Sequence, residues 1–125
     1  MNVVLLRGTL HGEPNDVTLA TGELVRTWEL AAETASSAVG PSAATVQKVP
    51  IRWVDPTKAV RSFDDGDEVV VTGSVRRRFF RAGGATASKT EVLGHKVAKA
   101  SRRRAVEQLI EGFRQTIEQG LGLVG

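Results

Sequence analysis

Short runs rich in strand-forming residues fill the first hundred positions, and an apolar stripe of helical period fills the last twenty-five. Val3-Val4-Leu5-Leu6-Arg7-Gly8-Thr9-Leu10 reads as a first strand, closed by Gly12 and Pro14. A second runs from about Val17 to Ala31 with a turn at Thr21-Gly22, its later half, Leu24 to Leu30, being richest in strand formers. The third, Val46 to Val54, puts Val49, Ile51 and Trp53 on one face and Lys48, Pro50 and Arg52 on the other. Pro50 has no N–H to give a ladder, so it belongs at an edge, a bulge or an unpaired position. Asp55-Pro56 opens a short helical turn, Thr57 to Phe63, before the turn cluster Asp64-Asp65-Gly66-Asp67.

The fourth strand, Glu68 to Arg81, is the clearest. Val69, Val71, Gly73, Val75, Arg77 and Phe79 share one side; Val70, Thr72, Ser74, Arg76, Arg78 and Phe80 share the other. The segment Ala82 to Ala87 reads as a flexible glycine-bearing loop, and Ser88 to Val97 returns as a fifth strand, on which His95 shares a side with Leu93 and Val97. Residues 33–45 hold Ala, Ser, Thr, Gly and Pro with almost no charge, the composition of a mobile loop. After Ser101, a fair N-cap, Val106, Leu109, Ile110, Phe113, Ile117 and Leu121 recur at three- and four-residue steps, predicting an amphipathic helix of about five turns. Its stripe is the expected surface for packing or for assembly. Arg102, Arg103 and Arg104 fall in its first turn, where the helix dipole disfavours cations. Five strands with a short helix between the third and fourth match an all-β OB-fold, a Greek-key barrel, with a C-terminal helix added. An SH3-like barrel fits the same count.

A length of 125 residues suits one barrel domain over 1–100 followed by the helix over 101–125. No apolar run reaches membrane-span length, and the N-terminus lacks the layout of a secretory signal. Cysteine is absent, which removes disulfides, thiol nucleophiles and thiolate zinc sites, and an intracellular, cytoplasmic location is the expectation. Charge changes the picture most. The net +3 splits into +9 over residues 76–104, with ten Lys/Arg and only Glu91 opposing them, and −6 over the remainder. A basic block on a strand that carries aromatics points to a polyanion, nucleic acid above all. No catalytic constellation accompanies it. His11 and His95 read as structural or surface residues, the acids Asp64, Asp65, Asp67 and Glu68 lack calcium-loop spacing, and Gly83-Gly84 lacks a phosphate-loop lysine. Neither an enzyme nor a cofactor or metal requirement is expected.

The segment Asn2 to Leu10 with Pro14 resembles the opening of the bacterial single-stranded DNA-binding proteins. Thr21-Gly22, Leu24-Val25 and Trp28-Glu29-Leu30-Ala31 are similar to that family's second strand. Asp65-Gly66-Asp67-Glu68 running into Val69-Val70-Val71-Thr72-Gly73 resembles its lysine-glycine-aspartate turn and fourth strand, and Thr90-Glu91-Val92 the start of its fifth. The pieces keep their order from residue 2 to about 97. The resemblance implies an OB-fold assembled as a tetramer built from dimers, acting at the nucleoid in DNA replication, recombination or repair. It also implies strand binding by a basic groove with stacked aromatics, a logic that needs no base readout.

On that basis Arg76, Arg78, Arg81, Lys48, Arg52 and Lys89 are the expected phosphate contacts, with Arg7 and Thr9 lining the first strand and Phe80 stacking a base. Phe79, by alternation, is assigned to the core or to an interface, and Trp28 to the core. The third strand departs from the family. Val46 replaces its stacking tryptophan, Arg52 its stacking phenylalanine, and Trp53 the following glycine. Trp53 is a displaced candidate platform, although its parity with Val49 and Ile51 favours partial burial. The family's acidic, phenylalanine-tipped tail has no counterpart, so partner recruitment through such a tip is not expected. The competing reading is an OB-fold paralogue with weak or lost DNA binding, working like a primosomal accessory protein through protein contacts. RNA is the competing strand, since nothing in the basic stretch distinguishes the sugars.

Overall fold

Strand β1 runs from Val4 to Thr18, straight through the Gly12 and Pro14 at which the sequence places its end. A register shift between His11 and Asn15, with Gly12 at φ 78°, absorbs both residues in a bulge. A bulge bends a strand without terminating it. Inside the bend the Trp28 indole N–H donates to the Gly12 carbonyl at 3.0 Å. The second strand therefore starts later than its composition suggests: β2 spans Leu24–Thr34 and joins β1 by a turn closed by Leu19 N–H to Glu23 O at 2.8 Å and Gly22 N–H to Leu19 O at 2.9 Å.

Across this hairpin Asp16 lies directly opposite Arg26, whose Nε and Nη2 donate to the two carboxylate oxygens at 2.8 and 2.9 Å. Those hydrogen bonds hold the Asp16 carboxyl below its ordinary value of 3.8. A carboxyl lowered in the fold contributes stability that is complete above its unfolded value of about 3.9 and is lost as pH falls through the folded one. Asp16→Asn is thus expected to melt lower near neutrality yet lose less on acidification below about pH 4. Thermal melts from neutral to acid pH check this, and parallel acid limbs would refute it.

The structure is a computed structural model that describes residues 1–34 and 45–123. The remaining elements are β3 (Thr45–Val54), α1 (Lys58–Arg61), β4 (Glu68–Ala82), β5 (Ala85–Lys99) and α2 (Arg103–Gly120). Glu33, Thr34 and Thr45 belong to strands, and the rest of the loop expected over 33–45 lies outside the described residues. The strands close into a barrel in the order β1-β2-β3-β5-β4, antiparallel except where β3 meets β5. This is the connectivity of an OB-fold. The parallel ladder holds only Ile51↔Val92 and Arg52↔Leu93, so Pro50 stands just outside it, unpaired on the β5 side.

Leu10, Trp28, Leu30, Ile51, Trp53, Val69, Val71 and Val92 fill the barrel, and Val60 and Phe63 of the α1 region pack with them. Thr57 caps α1, its hydroxyl accepting from Val60 N–H at 3.5 Å. On β5 the register slips opposite Thr72/Gly73. Val92 and Val97 therefore both reach the core, and Leu93 does not share a side with Val97 as simple alternation implies. At Gly94 a side chain would collide with the Trp53 indole, so the glycine makes the space in which Trp53 is buried.

Helix α2 begins one residue later than Ser101 allows, with Arg102 at the N-cap position and no side-chain cap. Arg103 pairs instead with Glu107 at 3.1 Å. Leu109 packs on Val70 and Ala98, with Val106 and Ala105 beside it, so the helix lies on the outer face of β4 and β5. Phe113 and Ile117 are half-buried, and Ile110 is exposed. No helix among the described residues is long and apolar enough to cross a membrane.

Candidate nucleic-acid interface

Pairing between β1 and β4 stops at Val4↔Gly73, whereas β4 and β5 stay paired as far as Ala82↔Ala85. The two strands therefore leave the barrel as a two-stranded arm. In place of a six-residue flexible loop the arm ends in a two-residue turn, Gly83-Gly84, with φ of 58° and 82°. Positive φ at both central residues is what a tight hairpin matching the twist of its strands requires, and glycine adopts it without strain.

Alternation gives the arm two faces. One carries Arg76, Arg78 and Phe80 on β4, opposite Glu91, Lys89 and Ala87 on β5. Arg52 of β3 adjoins it, paired to Leu93 two residues beyond Glu91. Phe80 is 37% exposed, and the Arg78 guanidinium carbon stands 5.4 Å from its ring centroid, within cation–π range. A base meeting this face would find a ring to stack on and cations for its phosphates.

Glu91 is what sequence reasoning missed. It is only 1% exposed, with Arg78 Nε 3.4 Å and Arg76 Nε 4.0 Å from its Oε1. Neither contact is a well-aligned hydrogen bond, and Glu91 Oε1, Arg78 Nε and Arg52 Nε are all buried without a partner. A buried carboxylate is costly unless cations offset it, and here the offsetting cations are the proposed phosphate ligands. The signal in the sequence is its position: the one acid in the basic block shares the face of Arg76 and Arg78.

Of the other expected contacts, all but Lys89 sit elsewhere. Arg81 falls on the opposite face of the arm from Arg76 and Arg78, its Nη2 donating to Gly84 O at 3.1 Å, so it does not join their cluster. Lys89 is exposed directly across from Arg78. Lys48 lies on the outer face of β3 with Nζ 3.5 Å from His11 Nε2. Arg7 and Thr9 line a separate depression of about 570 Å³ with Ala31, Glu33 and Val46, and Arg7 Nε is held by Glu68 Oε1 at 2.5 Å. Trp53 offers no ring to a base. It is 4% exposed inside the barrel, because the side chain that would exclude it is missing at Gly94. Phe79 is not core either, being 67% exposed. In the acidic turn, Asp65 accepts from Gly12 N–H at 2.8 Å and so ties the turn to β1, while Asp67 accepts from Asp64 N–H at 2.9 Å and closes the turn on itself.

No protein-family model and no curated protein sequence matches this chain. Among solved structures, one described as the Plasmodium falciparum SSB in complex with single-stranded DNA aligns with a TM-score of 0.64 and 21% identity, covering 78% of this chain and 91% of that one. The chain thus shares the OB-fold of that structure.

Proposed function

We propose that the protein binds single-stranded DNA without strong sequence preference, as a divergent relative of the bacterial single-stranded DNA-binding proteins. The observation that carries this is the outward face of the arm, where exposed Phe80 lies under Arg78 and shares the face with Arg76 while the face's one carboxylate is buried. Phosphates are engaged by Arg52, Arg76, Arg78 and Lys89, each contact releasing counterions, and Phe80 stacks a base of any identity. Lys48, Arg7 and Thr9 extend the path over the barrel, Arg7 by exchanging Glu68 for a phosphate. A fold likeness to a structure holding single-stranded DNA supports the reading.

With one ring on this face, binding is weaker than on an aromatic-rich platform. The setting in which such an activity serves is replication, recombination or repair at the nucleoid, with the chain assembled as a tetramer of paired dimers. A second reading, a protein-contact module, draws on the exposed Ile110 of α2 and on a third strand whose tryptophan is buried. Comparing oligo-dT with a duplex of equal length separates the two. Preference for the single strand supports the first, and failure to bind either supports the second.

A further inference from the structure

We propose that the arm's other face, Arg77, Phe79 and Arg81, is a second strand-binding surface, so that one single strand passes over both sides of the arm. The inference rests on the function proposed above and extends its path. Phe79 is 67% exposed, and the Arg77 guanidinium carbon lies 5.7 Å from its ring centroid. Both faces thus carry the same Arg-over-Phe pair. Here the guanidinium is held from the side, with Arg77 Nε and Nη2 donating to Ser88 Oγ at 3.2 and 3.1 Å. Thr90, Ser88 and Thr86 stand across from Arg77, Phe79 and Arg81, giving hydroxyls and cations with no carboxylate among these six residues.

That chemistry fits a polyanion with flat bases and gives an apolar protein surface one ring to grip. The shape permits the passage. Beyond Gly73 no other strand among the described residues pairs with the β4 edge, which the Asn2 side chain meets at Val75 alone, and a two-stranded ribbon is one side-chain layer thick on each side.

The test uses the full chain with oligo-dT of about 10 and about 30 nucleotides, bracketing one OB-fold site. For R77A/F79A we expect short-strand affinity within about twofold of wild type and long-strand affinity lower by about tenfold, with a shallower salt dependence. A strand carrying 5-iodo-deoxyuridine is expected to cross-link to Phe79 as well as to Phe80. Unchanged long-strand affinity with no cross-link at Phe79 overturns the inference, and so does a shift in sedimentation without a change in binding, which would make the face a contact between copies. If wild type binds neither strand, the proposed function itself has failed. If R76A/F80A weakens binding and R77A/F79A does not, only the second surface has.

Discussion

Replacing Phe80 and Arg76 together by alanine is expected to lower affinity for an oligo-dT strand by about 2–4 kcal/mol, or about 30- to 1,000-fold. The stacked base accounts for about 1–3 kcal/mol of this, and the lost phosphate contact for most of the remainder. The two losses are not independent, since Arg76 and Arg78 share Glu91 and Arg78 lies over Phe80. Removing Phe80 frees Arg78 from its ring, and removing Arg76 leaves Glu91 to Arg78 alone. The plot of log affinity against log salt should flatten by about 0.7, the increment for one phosphate of a single strand. Stability should fall as well, because Arg76 is one of the two cations that offset the buried Glu91 carboxylate, so affinity is compared at a temperature where the variant is shown to be folded. Fluorescence anisotropy with labelled oligo-dT measures the affinity. An unchanged value in a folded variant would move the function to protein contacts.

Trp28→Ala carries the largest expected effect on stability. The ring is 2% exposed at the centre of the core, and its truncation costs about 3–5 kcal/mol through lost burial and the cavity left behind. The indole also holds the bulge of β1 through the Gly12 carbonyl, and the variant leaves that acceptor without its donor. A domain of this size is stable by about 5–15 kcal/mol, so the alanine variant approaches the threshold of folding. Trp28→Phe separates the two contributions, keeping most of the ring while losing the hydrogen bond, for about 1–2 kcal/mol. Urea unfolding followed by circular dichroism checks both. Equal losses for Phe and Ala would mean that the hydrogen bond, not the packing, dominates.

Local periodicity made much of this fold legible. The faces of β3 and β4 follow from alternation and the structure keeps them, and of the α2 stripe it buries Leu109 with Val106, Phe113 and Ile117 half-buried, while Ile110 and Leu121 stay exposed. What was not legible depends on partners distant in sequence. Gly12 and Pro14 look like a stop until β2 supplies the register shift that accommodates them. Trp53 looks like a candidate platform until β5 places Gly94 beneath it. Ala82 to Ala87 looks like a loop because glycines suggest freedom, whereas two of them in one turn allow the ladder to close around it. Glu91 is one letter among many cations, and only pairing with β4 shows it buried beside two of them. Arg81 is the exception: its parity already set it apart from Arg76 and Arg78, and the charge run alone grouped them.

The central claim is tested most directly by titrating the wild-type chain with oligo-dT and with a duplex of equal length across a series of salt concentrations. The four phosphate contacts of the arm's first face, from Arg52, Arg76, Arg78 and Lys89, predict a slope at least as steep as about −3 in log affinity against log salt, with the single strand bound more tightly throughout. Affinity that ignores salt, or that is equal for the two ligands, would contradict the account.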